Sequence, residues 1–188
     1  MPADLSAGVR DALTAIVGAD HVRSEPIDQL IYSVDSYWLP QMWLDRGRRT
    51  PTPGLIVYPG SADEVARVLA VADEARVPVV PWGGGSGTQG GALPIHGGLI
   101  VDTKRLDRIL EINERSMYVR AQAGINGGQL EWALNDRGLT LPHYPASATC
   151  ATLCDYLGPR GWGTISRKYW RSWGCGLRTA SPTVMAKA

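Results

Sequence analysis

The 188-residue chain is short of several things, and each shortage excludes a class of protein. It has no run of about 18 apolar residues, so no membrane-spanning helix is predicted. The amino end, MPADLSAGVRDALTAIVGAD, opens with an acid and lacks the basic start and apolar stretch of a secretory signal. Cysteine is scarce, and three residues, an odd number, make no disulfide framework. Reduced thiols in the cytoplasm are the expectation. No Gly-Lys-Ser/Thr step occurs, which rules out a Walker phosphate loop. There is no internal repeat, and no acidic residue follows Asp155.

What is present is globular. The apolar fraction is 44% and the charged fraction 20%, so wholesale disorder is not expected. A chain of this length can bury about 70% of the surface its unfolded form exposes, enough for a core without staples. Gly and Pro together make 35 of the 188 residues, against a usual share of about 12%. The net charge of +1 hides an asymmetry. Up to Asp155 the chain carries 13 Lys and Arg against all 18 Asp and Glu, a net of −5. Beyond it stand Arg160, Arg167, Lys168, Arg171, Arg178 and Lys187 without an acid, together with Trp162, Trp170 and Trp173. Such a shift can mean an anion-binding tail, and can equally mean a tail whose sequence was not selected for this fold.

Periodicity predicts an amphipathic helix in the first 20 residues, with Val9, Leu13, Ile16 and Val17 on one face and Gly18 as its stop. A short helix is predicted over 26–34, and a surface loop over 37–53, where Trp, Pro, Gly and Arg follow no period. From Gly54 the pattern becomes regular. Leu55-Ile-Val-Tyr58 reads as a buried strand. Ser61 and Glu64 read as the capping box of a helix, and Val77-Pro-Val-Val80 as the next strand. Leu99-Ile-Val-Asp102, Ile109-Leu-Glu-Ile112 and Tyr118-Val-Arg-Ala-Gln122 are further strands. Asn126 with Gln129 opens a helix that Gly138 closes. The fold class is α+β, a mixed sheet flanked by helices.

After the strand at Val80 comes Pro81-Trp-Gly-Gly-Gly-Ser-Gly-Thr-Gln-Gly-Gly91, six glycines in eleven residues. Such a turn lets backbone approach a bulky ligand, and consecutive N–H groups make a nest for phosphate oxygens. Ser86 and Thr88 add hydroxyls. Gly85-Ser-Gly-Thr-Gln-Gly90 also fits the dinucleotide fingerprint G-x-G-x-x-G. That fingerprint must open a helix and be followed by an acid about 20 residues on. The following Gly91-Ala-Leu-Pro94 and His96-Gly-Gly98 cannot be a helix, and Asp102 lies too near, so the loop must bind phosphate by its own backbone.

This loop resembles the pyrophosphate-binding loop of FAD-linked oxidases of the vanillyl-alcohol oxidase/p-cresol methylhydroxylase (PCMH-type) superfamily. The resemblance continues in order through Gly98-Leu-Ile-Val-Asp102, Arg105-Leu-Asp-Arg-Ile109, Val119-Arg-Ala-Gln-Ala-Gly-Ile125 and Leu141-Pro-His-Tyr-Pro-Ala-Ser147. It covers about residues 50 to 169 and is strongest for the branch of alkyldihydroxyacetonephosphate synthase and the D-lactate/glycolate-type dehydrogenases. It implies a PCMH-type FAD-binding domain over 54–169, comprising a first subdomain and the start of a second. A helical and loop extension over 1–53 precedes it, and an atypical tail over 170–188 follows. It further implies that Pro81, Trp82, Gly83, Gly84, Gly85, Ser86, Gly87 and Thr88 cradle the FAD pyrophosphate. A second contact would involve Pro145, Ala146, Ser147, Ala151 and Thr152, and a third Gly161, Gly163 and Thr164. The first loop has no histidine, so FAD is expected to be non-covalent. No catalytic residue is assigned, and a small-molecule substrate is expected only where a substrate domain is supplied.

Some residues depart from the family pattern. After Thr152 the family runs apolar-Gly-Gly, whereas this chain has Leu153-Cys154-Asp155. A thiol and a carboxylate there would crowd and repel a diphosphate. With the acid-free tail, this leads to the expectation of a truncated or frame-disturbed reading of a longer gene. The alternative is then a non-catalytic remnant with weak or no FAD binding. His143 could face the flavin or be structural. A zinc set of His143, Cys150 and Cys154 lacks a fourth ligand, so no metal is expected. Arg167-Lys-Tyr-Trp-Arg171 interleaves bases with aromatics, yet the near-zero net charge argues against a nucleic-acid partner.

Overall fold

Short apolar runs build the first sheet. The computed structural model describes residues 5–141, 145–158, 177–178 and 181–184. Its backbone divides into two units, one up to Arg105 and one from Leu106.

In the first unit, strands β1 (Val22–Arg23), β2 (Leu55–Val57), β3 (Val79–Trp82) and β4 (Leu99–Asp102) form a sheet of order β1-β2-β4-β3. The last three are parallel and β1 is antiparallel to β2, so the sheet is mixed, as expected. Side chains alternate across it. Leu55, Val57, Leu99 and Val101 face α1 (Ala7–Val17) and α4 (Ala62–Glu74), packing on Leu13, Val17, Val68 and Ala72. Ile56 and Ile100 face the other way, toward Tyr32 and Trp82. That second face carries the glycine loop.

The α4 start is built as its sequence predicts, with one change of partner. Ser61 Oγ accepts from the Glu64 N–H at 3.1 Å, but Glu64 Oε2 accepts from Gly60 N–H at 2.7 Å rather than from the cap residue itself. Two expectations are corrected. The 37–53 segment contains a helix, α3 (Trp38–Asp45), after α2 (Pro26–Ile31). Pro40 is tolerated because it sits in the first turn, where its missing N–H has no helical partner. The strand expected at 77–80 instead pairs over Val79–Trp82, in register with Leu99–Asp102. Leu99 N–H donates to the Pro78 carbonyl at 2.8 Å and fixes that register. Pro81 and Trp82 therefore belong to the strand rather than the loop. β3 is an edge strand, where a proline costs no ladder bond.

In the second unit, β5 (Ile109–Asn113), β6 (Tyr118–Ala121), β7 (Leu177–Arg178) and β8 (Ser181–Val184) form an antiparallel sheet of order β5-β6-β8-β7. Helix α5 (Gly127–Asn135) is capped by Asn126, whose side chain accepts from Gly128 and Gln129 N–H. It buries Leu130 and Leu134 against Val119, Ala121, Ala151 and Leu153. Helix α6 (Leu153–Leu157) follows Thr152.

Candidate functional site

β3 delivers Trp82 to the start of the glycine loop, and the loop's carbonyls are then gripped from within the unit. Trp82 O accepts from Thr103 N–H at 2.9 Å and Thr103 Oγ1 at 3.1 Å. Gly83 O accepts from Lys104 Nζ at 3.1 Å. Gly85 O accepts from Ser36 N–H at 3.0 Å and Ser36 Oγ at 3.3 Å. A trans peptide is planar, so its C=O and the next N–H point in opposite directions. Holding these carbonyls inward turns the N–H groups of Gly83, Gly84 and Ser86 the other way. Among the described residues, the N–H groups of Gly85, Ser86, Gly87 and Thr88 donate to no protein acceptor. Successive donors of this kind form an anion-binding concavity. Gly85 has φ +65°, and an added Cβ would lie 2.7 Å from Trp82 Cζ2. At Gly87 an added Cβ would meet nothing within 4 Å.

Beneath the loop lies a polar cluster that the sequence reading missed. Asp102 is 0% exposed and accepts from Tyr32 Oη at 2.5 Å and Lys104 Nζ at 2.5 Å. Tyr32 Oη also meets Tyr58 Oη at 3.0 Å. Burial, then the hydrogen bond to Asp102, pushes the Tyr32 phenol far up, and burial raises Tyr58 too, so both are neutral donors. The available signal was an acid at the end of an apolar strand, which cannot be buried alone. The partner contributed by α2 and the Ser36 contact left no sequence signal.

Asp35 was also missed. It is 4% exposed, and its Oδ1 accepts from Tyr37 N–H at 2.9 Å, while Oδ2 has no hydrogen-bond partner. Burial raises its pKa above the ordinary value of about 3.9. The folded chain therefore keeps this proton to higher pH than the unfolded chain does. Stability is lost as pH rises from the ordinary value through the raised one, then stays level. Asp35→Asn keeps the Tyr37 bond and removes the buried charge. At pH 7 it is expected to melt higher than the parent, with the gain shrinking as pH falls through the ordinary carboxylate range. Thermal unfolding of both forms across pH measures this, and an Asn variant less stable than the parent at pH 7 would refute it.

In the second unit the predicted second contact is stitched to the start of α5. Gly127 N–H donates to Ala151 O at 2.9 Å and Gly128 N–H to Ala148 O at 2.8 Å. Asn126 Nδ2 donates to Thr149 O at 2.9 Å, and Asn126 bridges to Thr152. An added Cβ at Gly127 would lie 2.9 Å from Ala148 O, so the close approach requires glycine. The segment folds on itself, with Ser147 O accepting from both Cys150 and Ala151 N–H. Pro145, Ala148, Ala151 and Thr152 are buried, Ser147 is half-buried and Ala146 exposed. Asp155 Oδ2 accepts from Thr152 N–H at 3.3 Å, capping α6. The carboxylate thus has a local structural role that the family pattern does not suggest.

Gly161, Gly163 and Thr164, with His143 and the 167–171 segment, lie outside the described residues. Among the described residues no group of three or more His, Cys, Asp or Glu could hold a metal ion, and no helix is long and apolar enough to cross a membrane.

The donor set suits a diphosphate-bearing cofactor. It offers the N–H groups of Gly85, Ser86, Gly87 and Thr88, the hydroxyls of Ser86 and Thr88, and open space over Gly87. Comparison with known proteins agrees. A family model described as "FAD binding domain" matches residues 53–183. The glycolate oxidase subunit GlcD of Bacillus subtilis is 29% identical over 161 residues, covering 86% of this chain and 32% of the relative. A solved alkyldihydroxyacetonephosphate synthase superposes with a TM-score of 0.86 at 26% identity, over 100% of this chain and 39% of that one. p-Cresol methylhydroxylase shares the fold, with a TM-score of 0.70 at 20% identity over 86% of this chain and 31% of that one. The chain therefore spans about a third of the length of these proteins. The α+β, PCMH-type expectation is borne out: the chain belongs to the FAD-binding domain family of flavoproteins, a membership that implies FAD as its cofactor.

Proposed function

We propose that this chain is the FAD-holding portion of a flavin-dependent oxidoreductase acting on a 2-hydroxy acid or a related small substrate. The observation carrying this is the first loop with the strand end that leads into it, where the carbonyls of Trp82, Gly83 and Gly85 are held inward while the N–H groups from Gly85 to Thr88 have no protein acceptor among the described residues. Pro81, Trp82, Gly83, Gly84, Gly85, Ser86, Gly87 and Thr88 bind the pyrophosphate. Pro145, Ala146, Ser147, Ala151 and Thr152 contact the pyrophosphate and the flavin side, and Gly161, Gly163 and Thr164 add a third contact. The FAD is non-covalent, since no histidine stands in the first loop to be attached. When bound, the flavin supplies the redox chemistry, and the protein supplies binding and orientation. The 2-hydroxy acid is favoured by the relative named as a glycolate oxidase subunit. Substrate is met by a domain outside this sequence. The partners are FAD and that substrate, not nucleic acid, and the setting is cytoplasmic.

A second reading, that the chain holds FAD weakly or not at all, is favoured by Asp155. Its carboxylate sits at the second contact, where it would oppose a diphosphate. One experiment separates the two. The purified chain is mixed with FAD, desalted and scanned, and retained bands near ~370 and ~450 nm are expected of a bound oxidised flavin. A colourless protein that takes up FAD once Asp155→Asn is made would establish the second reading. A protein colourless in both forms would overturn the first.

A further inference from the structure

The cluster at the end of β4 joins a buried acid to the glycine loop through one side chain. Lys104 Nζ reaches Asp102 Oδ2 at 2.5 Å and Gly83 O at 3.1 Å, and lies 5.5 Å from the centre of the Tyr32 ring. Its own N–H is held by Asp102 Oδ1 at 2.9 Å. Asp102 is 0% exposed, so its charge needs this partner, and the side chain has little choice of position. The ammonium that satisfies the acid therefore also fixes the orientation of the Gly83–Gly84 peptide. Because that peptide is planar, the Gly84 N–H is fixed with it. The flanking carbonyls of Trp82 and Gly85 are held by neutral donors, from Thr103 and Ser36, while Gly83 O is held by a charged one. Charge-assisted bonds are roughly twice as strong as neutral ones.

We propose that Lys104 is a positioning residue for the pyrophosphate-binding loop, held in place by Asp102 and Tyr32 and acting through the Gly83 carbonyl. The ligand side of this inference rests on the FAD reading above; the loop side does not.

The test uses the 188-residue chain with three changes: Lys104→Met, Lys104→Arg, and Asp102→Asn with Lys104→Met. The double variant removes the buried charge together with its partner, so it folds even where Lys104→Met alone does not. Without ligand, amide exchange is followed at Ser36 and Thr103, whose N–H groups donate to Gly85 O and Trp82 O. Exchange there is expected to speed up about tenfold or more in the double variant, with Val68 and Ala72 in α4 unchanged. Lys104→Arg is expected to stay within about threefold of the parent, since it keeps a donor for both oxygens. With ligand, FAD and ADP are each expected to bind about tenfold more weakly to the double variant and near normally to Lys104→Arg. Equal losses for FAD and ADP place the effect at the ADP portion that both carry rather than at the flavin. Unchanged exchange at Ser36 and Thr103 in the double variant overturns the proposal, whether or not FAD binds. A parent that binds neither FAD nor ADP overturns the FAD reading, and exchange then still decides the role of Lys104.

Discussion

Replacing Gly98 by alanine is expected to cost the chain more than about 4 kcal/mol, a size reached only by a few mechanisms, among them forced steric overlap at a special backbone conformation. Gly98 has φ +78°, and a Cβ there would lie 2.2 Å from the Pro78 carbonyl oxygen and 3.0 Å from its carbon. Neither side can give way cheaply. The Pro78 oxygen accepts from Leu99 N–H at 2.8 Å, and the Gly98 carbonyl accepts from Gly54 N–H at 2.7 Å. This one residue thus sits where β2, β3 and β4 are brought into register. The expected result is a fall in Tm of more than about 8 °C, or loss of the folded baseline. A Gly98→Ala protein melting within about 3 °C of the parent would show that the strands do not meet in this way.

Gly85→Ala is the second large effect, and it acts on the ligand as well as the fold. The added methyl group would fall 2.7 Å from Trp82 Cζ2, and the backbone stands at φ +65°. Trp82 is itself pinned, with its ring 4.9 Å from that of Tyr32 in an edge-on contact. Moving the indole would therefore disturb the Tyr32–Asp102 bond and the Lys104 contact below. We expect about 2 kcal/mol of lost stability and a rise in the FAD Kd of at least ~30-fold. Gly87→Ala separates the two parts of this effect. Its Cβ would meet no protein atom within 4 Å, so stability should stay within about 0.5 kcal/mol of the parent. FAD affinity should nevertheless fall about tenfold or more if, as proposed above, the ligand takes the space over Gly87. Isothermal titration and thermal melts of both variants provide the check. Undiminished FAD binding by Gly87→Ala would place the pyrophosphate elsewhere.

The parts of the fold readable in sequence are those set by near neighbours. The Ser61 cap, the α4 face of Val68 and Ala72, and the runs at Leu55 and Leu99 obey local periods, and all formed as expected. Helix α3 was not readable because Pro40 and the tryptophans mask an eight-residue helix whose apolar pattern is too short to register. The β3 boundary moved because Pro81 and Trp82 look like loop residues, whereas their strand state is fixed by pairing with Val101 and Asp102. The glycine loop announced itself by composition. Its anchors did not: Ser36 lies 49 residues from Gly85, and Tyr32 lies 70 from Asp102. Contacts across such distances have no period, so only the folded backbone reveals them. Asp155 shows the converse. Sequence comparison marks it as an intruder, and the structure gives it a local task at the start of α6.

The strand order β1-β2-β4-β3 has a consequence for how the chain is made. β2, α4 and β3 are synthesised before β4, yet β2 and β3 are not hydrogen-bonded to each other. β2 has β1 on one side, but its other edge and the paired edge of β3 both need β4, which follows them in the chain and lies between them. Without residues 99–102, one edge of β2 and the paired edge of β3 have no partner in this sheet, and such unpaired edges favour association with other chains. The glycine loop connects β3 to that inserted strand, and its carbonyls are gripped by Thr103 and Lys104, which follow directly after it. These two carbonyl contacts therefore require β4 to be in place beside β3. A ligand held by this loop would stabilise only molecules in which β4 is already in place.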